Sequence, residues 1–380
     1  MKTKHATLTL EKFNSAPRES IQNFLSQLDR KATVTFVFLG SEEFIPELEN
    51  FLKDWDGVVC ACTTGGEIVE GKYLDSSLVG MSISSDKISC KSLHFDLGLI
   101  TNGSSPIIDS ASEEIQRFRA DVLLNEPSTK FFSTMVIDGM AGKEELFVNA
   151  FHKSILNIPF IGGSAGDNFK FHRTLVFDGE CFKQNTANVL VFASELPFEI
   201  FKTQDFEITE KRMVITESDP TKRVVLEIDG MPATKAYADA INLKESDLNL
   251  SVFANHPIIV SYGGESYIRS ILGCNDRGEL EFACAIETGV VVRLGKRTGT
   301  MVEDLKTIID GLDFEVDASL VFECSLRRND ILKASEDEKN RLLELFNQIN
   351  AVGFHTYGEQ FNSVHINQTL TGLLIGHSRA

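Results

Sequence analysis

A strand-like segment near the C-terminus, SVHINQTLTG, alternates polar and apolar residues. In an extended strand, successive side chains point to opposite faces. His365, Asn367 and Thr369 therefore share one face of the predicted strand. Such a row can present one imidazole and two hydrogen-bonding groups to a ligand pocket. The alternative is a partly buried strand histidine whose hydrogen bonds are satisfied by its neighbours.

A second histidine, His355, lies in the preceding segment GFHTYGE. If the GEQFN segment is a hairpin turn, His355 and His365 face each other across a strand pair. The two side chains then either form one site or make a polar cross-strand pair that serves the fold. Four other histidines are backup ligand candidates without a motif around them: His94, His152, His172 and His256.

Three acidic residues end short motifs that resemble one another, TGGE, SAGD and TYGE. These residues are Glu67, Asp167 and Glu359. Carboxylates at strand ends can act as a general acid and base, as in glycosidases. No spacing shows whether two of them meet, and no matched motif supports hydrolysis. We interpret them as turn carboxylates that make polar contacts to a ligand or to the fold.

Two residues look superficially like nucleophiles. Ser164 in GGSAG has the spacing of a nucleophile elbow, but the elbow requires a following helix, and NFKFHRTLVFDG reads as turn and strand. Cys62 has no identifiable histidine partner and reads as a small buried hydrophobic residue. The glycine-rich segments match neither the P-loop nor the dinucleotide-binding motif. We therefore expect no enzyme.

A pair of arginines, Arg327 and Arg328, follows another strand end in CSLRRND. A bidentate arginine suits a carboxylate or a propionate. The alternative is a solvated loop pair beside Asp330.

A repeated unit carries these motifs, at residues 33–83, 133–193 and 319–376. Each copy reads as strand, helix and strand, followed by a turn and another alternating strand. A strand–helix–strand unit predicts a parallel pair with a right-handed crossover, and the closing hairpin adds an antiparallel strand. We predict an α/β fold of two domains, with mixed sheets flanked by helices. Ligands bind beyond the carboxyl ends of such strands, where the three acid-ended motifs lie.

Residues 196–295 read differently, as short β-runs separated by turn signals. One helical segment, PATKAYADAI, begins with Pro232 near its first turn. The sequence around 195–220 is charged and weakly apolar, so a domain boundary falls there most naturally.

Composition limits the classes of partner. The 380 residues are 42% apolar and 24% charged, which is ordinary for globular domains. A net charge of −18 argues against nucleic acid and anionic membranes as partners. The N-terminus lacks an apolar leader, and no segment approaches the roughly 20 apolar residues of a membrane span. Seven scattered cysteines fit reduced thiols. These features predict a cytoplasmic protein.

The motifs together resemble one family, the FIST proteins, a bacterial sensory family with paired N- and C-terminal FIST domains. The likeness is carried in order by CTTGGEI, IGGSAGDN, EIDGMPATKAY, FECSLRR and TYGEQFNSVHINQTLTG. The resemblance implies a FIST N-type domain over 1–210 and a FIST C-type domain over 211–380. FIST proteins are regarded as sensors of small ligands.

The C-terminal segment looks like a branch of this family that binds haem b and responds to nitric oxide. That branch regulates a partner sensor histidine kinase. The resemblance implies His365 as the metal ligand, in a site with His355, Asn367, Thr369, Tyr357 and Glu359. The alternatives are an amino-acid-sensing FIST protein without haem and, less favoured, a hydrolase. The sequence contains nothing resembling a kinase, DNA-binding or cyclase module, so we expect any signalling output to pass through another chain.

Overall fold

A computed structural model describes residues 1–101, 105–155 and 158–379. The chain divides by packing into two compact units. Unit 1 comprises Met1–Lys202, Leu305–Val364 and Leu370–Ala380, and unit 2 comprises Thr203–Asp304 and His365–Thr369. The units therefore alternate along the chain. The boundary predicted at 210/211 separates two family domains. The compact units are separated by packing, which is a different property.

Strand β1 (Lys2–Thr9) precedes the first predicted repeat, whose strands are β2 (Val34–Leu39), β3 (Val58–Thr63), β4 (Glu67–Val69), β5 (Lys72–Leu74) and β6 (Ser77–Ser84). Strand β7 (Ile88–Asp96) precedes the second, whose strands are β8 (Lys130–Ile137), β9 (Phe160–Ser164), β10 (Val176–Phe177), β11 (Phe182–Lys183) and β12 (Thr186–Ser194). Strand β13 (Phe198–Gln204) follows the second repeat. Unit 2 then supplies β14 (Phe206–Asp219), β15 (Val224–Ile228), β16 (Met231–Pro232), β17 (Ile258–Tyr262), β18 (Glu265–Arg269), β19 (Ile271–Cys274), β20 (Leu280–Phe282) and β21 (Val291–Arg297). The chain ends with β22 (Phe314–Cys324), β23 (Ala351–Thr356), β24 (Glu359–Phe361), β25 (Val364–Ile366) and β26 (Thr369–Ser378).

The α-helices are α1 (Leu10–Ser15), α2 (Pro17–Ser26), α3 (Ile45–Leu52), α4 (Pro106–Asn125), α5 (Glu144–Ser154), α6 (Ala233–Ala240), α7 (Leu250–Asn255), α8 (Met301–Asp310), α9 (Ser325–Lys333) and α10 (Glu336–Gln348). Short 3₁₀ turns cover Glu42–Phe44, Leu97–Leu99 and Glu245–Asp247. Among the described residues, no helix is long and apolar enough to cross a membrane.

Three sheets of unit 1 share one topology, and the repeat prediction is confirmed. Their strand orders are β1-β6-β2-β3-β10-β11, then β7-β12-β8-β9-β24, and β13-β26-β22-β23-β4-β5. The central pairs β2/β3, β8/β9 and β22/β23 are parallel, and β6, β12 and β26 join them antiparallel. This is the strand–helix–strand–hairpin unit expected from the sequence.

Each sheet is completed by a strand from another repeat. Strand β10 of the second repeat pairs with β3, β24 of the third pairs with β9, and β4 of the first pairs with β23. The three repeats thus exchange short strands in a cycle. We call β4, β10 and β24 the exchange strands.

The core explains why the central strands are continuous apolar runs. Strand β2 is buried along its whole length, as expected of a parallel strand covered on both faces. One hydrophobic cluster joins Phe38 of the first repeat to Phe322 and Phe354 of the third, and the rings of Phe38 and Phe354 lie 4.8 Å apart. The helices cover the other faces, with Leu48 of α3 in one cluster and Phe147 of α5 in another.

Unit 2 is built around the order β18-β17-β21-β14-β15-β20-β19, with β16 beside β15. The predicted helix at 232–241 is confirmed as α6, which begins directly after Pro232. Its Tyr237 is buried against Phe253 of α7 and donates a hydrogen bond to the carbonyl of His256 at 2.7 Å.

Candidate functional site

A cleft of about 460 Å³ lies at the carboxyl ends of the parallel strands β2 and β3. We call it the strand-end cleft. Its lining combines the ends of these strands with a segment that follows β9 in the second repeat. The lining residues are Leu39, Gly40, Ser41, Glu42, Glu43, Thr63, Thr64, Asp167, Lys170, His172 and Arg173. Its position is the one that ligands commonly occupy in α/β sheets.

Local sequence determines one wall of this cleft. Ser41 caps the 3₁₀ turn that leads into α3, and its hydroxyl accepts from the Glu43 N–H at 3.3 Å. At Gly40 a Cβ atom would lie 2.6 Å from Oε1 of Glu67, so only glycine leaves room for the buried carboxyl group. The strand end, the glycine and the cap together turn the chain around the cleft.

Asp167 organises the opposite wall, the segment 167–173. Its carboxylate accepts hydrogen bonds from the backbone N–H groups of Phe171, His172 and Arg173 at 2.9, 2.8 and 3.2 Å. It also accepts one from the hydroxyl of Tyr357. Burial works to raise the pKa of Asp167, but these hydrogen bonds outweigh it and hold the pKa below its ordinary value. Asp167 is therefore an ionised anchor rather than a general base.

An ion pair joins the two walls. Nε of Arg173 lies 3.0 Å from both carboxylate oxygens of Glu42, and a second guanidinium nitrogen also donates to Glu42. The exposed side chains of Glu43, Lys170 and His172 add charges of both signs to the lining. A lining of this kind suits a small polar ligand that itself carries both charges.

The three acid-ended turns meet in unit 1, which the sequence did not reveal. The N–H of Gly65 donates to the carbonyl of His355 at 2.9 Å, and the N–H of Gly166 donates to that of Thr63 at 3.1 Å. The N–H of Tyr357 donates to the carbonyl of Ser164 at 3.1 Å. The turns therefore hold one another through their backbones, in the same cyclic order as the exchange strands.

The carboxyl groups of Glu67 and Glu359 are fully buried in these turns. Each accepts a hydrogen bond from the threonine three residues earlier, Thr64 or Thr356. Glu67 also accepts from the backbone of Ser77 at 3.1 Å, and burial raises its pKa to about 8. This geometry fits the interpretation of these acids as turn carboxylates rather than as a glycosidase pair.

Ser164 does not occupy a nucleophile elbow. It is the last residue of β9, and the segment 165–173 after it contains no helix. Its hydroxyl accepts a hydrogen bond from the amide of Gln360 at 2.9 Å. Burial raises the pKa of the Cys62 thiol well above its ordinary value, which leaves it unreactive.

Tyr357 connects the third repeat to the wall of the strand-end cleft. Its hydroxyl donates to Asp167 and accepts from the backbone N–H of Phe169 at 2.7 Å. Its ring stacks on Phe171 with centroids 4.9 Å apart. Burial and the neighbouring carboxylate raise its pKa, so the hydroxyl stays protonated. Tyr357 is therefore a predicted site residue that bonds directly to the cleft lining.

His355 lies inside a buried polar network beside β22. Its Nδ1 is 3.3 Å from Oε2 of Glu323, and its ring meets that of Tyr73 edge-on at 4.5 Å. The Tyr73 hydroxyl donates to Glu323 at 2.5 Å. Burial lowers the pKa of His355, so the imidazole is neutral at pH 7.

His365, Asn367 and Thr369 belong to unit 2, whereas His355, Tyr357 and Glu359 belong to unit 1. The carbonyl of His365 accepts from Arg269 at 2.8 Å. The side-chain oxygen of Asn367 accepts from the Ser270 N–H at 3.4 Å. Thr369 is buried at the start of β26.

A haem group needs open space beside the ligating imidazole. The side chains of His355 and His365 are 0% and 1% exposed, and neither lines the strand-end cleft. Across residues 1–101, 105–155 and 158–379, no three His, Cys, Asp or Glu side chains cluster in a way that could hold a metal ion. As packed in this structure, these residues do not fit a haem. The assignment of His365 stays a prediction.

The arginine pair corrects an interpretation of the sequence. Arg327 and Arg328 lie in the first turn of α9 and are 2% and 8% exposed. The solvated-loop interpretation is therefore wrong. Nε of Arg327 donates to Glu323 at 3.1 Å, and Arg328 donates to Asp75 at 2.6 Å. The alternative, pairing with carboxylates, is confirmed.

Sequence reasoning missed most of the strand-end cleft. Only His172 was a candidate ligand, as a backup without a motif around it. Lys170 and Arg173 lie in a segment that reads as turn and strand. The available signal was the rule that ligands bind beyond strand ends, combined with charged residues directly after β2 and β9.

Comparison with protein families matches the FIST N domain over residues 33–231 and the FIST C domain over residues 233–362. The first match alone covers more than half of the chain. A comparison with curated proteins finds no match.

Proposed function

The chain belongs to the FIST family, whose domains are sensory and non-catalytic, and we propose that it senses a small polar ligand in the strand-end cleft. The supporting observation is that two repeats form opposite walls of one cleft at strand carboxyl ends. A ligand that contacts both walls stabilises the conformation in which the two walls bind it, relative to other conformations of the protein. This shift in conformational population is the physical basis of a sensor.

Free amino acids are the ligand class that the cleft supports best. The α-carboxylate of an amino acid suits Lys170 and the N–H groups behind Ser41, and its α-ammonium group suits Glu43. The cleft volume of about 460 Å³ is within the range of small-molecule pockets.

The segment 167–173 is the element that such a ligand would shift. Asn168, Phe169 and Phe171 have φ values of 56°, 60° and 51°, a region that costs energy for residues other than glycine. The Asp167 carboxylate and the Arg173–Glu42 ion pair hold this strained segment in place. A ligand that competes for the Asp167 carboxylate or for the Arg173–Glu42 ion pair would change how firmly the segment 167–173 is held.

The proposed output is regulation of a sensor histidine kinase in the cytoplasm. The support is the family resemblance, together with the lack of any recognisable output module in the sequence. The net charge of −18 suits a basic surface on such a partner.

The version of this function with haem b and nitric oxide rests on the resemblance of residues 353–372. The enclosed imidazoles of His355 and His365 do not favour it. We therefore propose the amino-acid version of this function.

A thermal-shift screen with the twenty standard amino acids tests the proposal. At least one should raise the Tm of the full chain, because a ligand at 100 times its Kd adds about 2.7 kcal/mol of stability. The shift should be lost in Lys170→Ala and kept in Arg117→Gln, which alters an exposed pair on α4. A screen without any shift, or a shift unchanged in Lys170→Ala, would contradict the proposal.

A further inference from the structure

Helix α9 starts inside unit 1, directly after the buried end of β22. Its N-cap residue is Cys324, and no side-chain hydrogen bond caps its first turn in the described part of the chain. Uncapped N–H groups at a helix start carry partial positive charge and favour anions. By contrast, Ser335 caps the next helix, α10.

Arg327 places unpartnered donors at this helix start. Its Nε donates to Glu323 at 3.1 Å, but neither Nη1 nor Nη2 has a hydrogen-bond partner among the described residues. The side chain is 1% exposed. An arginine stays protonated in proteins, and leaving buried charged donors without acceptors is strongly unfavourable.

Ser325 and Arg328 add further donors around the same turn. The hydroxyl of Ser325, 2% exposed, and Nε of Arg328 also have no partner within the described residues. Arg328 donates through Nη1 to the carbonyl of Gly65 at 3.1 Å. A Cβ at Gly65 would lie 2.7 Å from the Ser325 hydroxyl, and one at Gly66 would lie 2.9 Å from Nη1 of Arg328. The Ser325 hydroxyl and the Arg328 guanidinium therefore lie against one glycine turn.

The buried part of this cluster has more positive than negative charge. Two guanidinium groups face one buried carboxylate, Glu323. The second partner, Asp75, has a side chain that is 68% exposed, so solvent screens its charge. Burial raises the pKa of the neighbouring Glu67 to about 8, so most of that group is uncharged at pH 7. The charge of the two guanidinium groups therefore exceeds that of the Glu323 carboxylate.

We propose that the start of α9 binds one inorganic oxyanion of the phosphate or sulfate class. Its oxygens would accept from Arg327 Nη1 and Nη2, from Arg328 Nε and from the Ser325 hydroxyl. A tetrahedral oxyanion has enough oxygens to satisfy donors that approach from several directions. Because these donors are buried, the proposal is for the free anion and not for the phosphate group of a larger molecule.

This site is distinct from the strand-end cleft and does not depend on the amino-acid proposal. The two are nevertheless neighbours along the chain, since Thr64 lines the cleft and Gly65 accepts from Arg328. Anion binding would hold the turn at residues 64–67 in place.

Isothermal titration calorimetry on the full chain, dialysed free of phosphate and sulfate, tests the proposal. Inorganic phosphate or sulfate should bind saturably with a stoichiometry near one, against a sodium chloride blank of matched ionic strength. Ser325→Ala should weaken binding about three- to tenfold, because one hydrogen bond is lost. Arg327→Lys should weaken it at least about tenfold, because the planar fork is lost. The surface variant Arg117→Lys should bind as the wild type does.

No saturable binding by the wild type would overturn the proposal, as would wild-type affinity in Ser325→Ala. The serine variant decides the question if Arg327→Lys fails to fold, because the serine hydroxyl has no partner among the described residues whose loss would destabilise the fold. Glycerol 2-phosphate, titrated in the same way, should bind at least about tenfold more weakly than inorganic phosphate. Equal affinity would overturn the assignment to a free inorganic anion.

Discussion

At the scale of the residue, the ionisation of Glu67 makes the stability of the fold depend on pH. Its pKa is raised to about 8 in the folded protein and returns to its ordinary value of 4.5 on unfolding. Between these values the folded state holds a proton that the unfolded chain releases. The stabilising contribution is therefore complete below about pH 4.5, falls as pH rises, and is lost above about pH 8.

We expect Glu67→Gln to remove this dependence, because the neutral amide cannot ionise. From about pH 5 to about pH 8.5, the free energy of unfolding of the wild type should fall by roughly 2–4 kcal/mol more than that of the variant. Urea unfolding at both pH values measures this. Glu113→Gln, on the exposed face of α4, is the matched control. Equal pH profiles for wild type and Glu67→Gln would show that Glu67 ionises normally.

Tyr357→Phe tests the anchoring of the segment 167–173. The variant keeps the stacking on Phe171 but loses the hydroxyl that bonds Asp167 and the Phe169 N–H. We expect a loss of about 1–2 kcal/mol of stability and faster amide hydrogen exchange at residues 169–173. Tyr262→Phe, at an exposed tyrosine of unit 2, should change neither. Unchanged exchange in Tyr357→Phe would mean that other contacts hold the segment.

An absorption spectrum after haem addition tests the role of His365. The enclosed imidazoles predict that no Soret band depends on His355 or His365. A band that is lost in His365→Ala and retained in His355→Ala would establish His365 as the ligand. The fold would then have to open around that residue.

At the scale of the element, α10 shows a cap that local sequence encodes. The Ser335 hydroxyl accepts from the Glu338 N–H at 3.1 Å, as the Ser-x-x-Glu pattern predicts. Ser335→Ala should cost about 1 kcal/mol in urea unfolding. Ser110→Ala, at an exposed position within α4, should stay within about 0.5 kcal/mol of wild type. A loss in the control as large as in Ser335→Ala would exclude capping as the cause.

Local patterns predicted the elements whose burial is regular. TVTFVFLG predicts β2 because both faces of a central parallel strand are apolar. Helix α9 was not predicted, because SLRRND has no apolar periodicity and its arginines are buried through ion pairs instead. The exchange strands were not predicted either, since β4 pairs with β23, which lies far away in sequence.

The site was less predictable than the fold for the same reason. The sequence singled out Asp167 and Tyr357, but not that they meet, because their contact joins two repeats. Charged residues such as Lys170 and Arg173 have no local pattern that separates a cleft lining from an ordinary surface. Only the topology brings them opposite Glu42.

At the scale of the whole molecule, the exchange strands make the repeats of unit 1 interdependent. A fragment of residues 1–202 contains two repeats but lacks β22, β23 and β24. Strand β4 would keep β5 but lose β23, strand β9 would keep β8 but lose β24, and Phe38 would lose Phe354. We expect this fragment not to unfold cooperatively in urea, as followed by circular dichroism, whereas the full chain should. A cooperative transition in the fragment would show that two repeats suffice.

The exchange of strands also has a consequence during synthesis. Val69 of β4 pairs with Val352 of β23, so the partner leaves the ribosome about 280 residues later. At typical translation rates this delay is on the order of tens of seconds. Throughout that time the first repeat presents an unpaired strand edge, which is a template for aggregation. The nascent chain should therefore depend on chaperones until β23 emerges, and its folding should be slow for its size because its contacts are so distant in sequence.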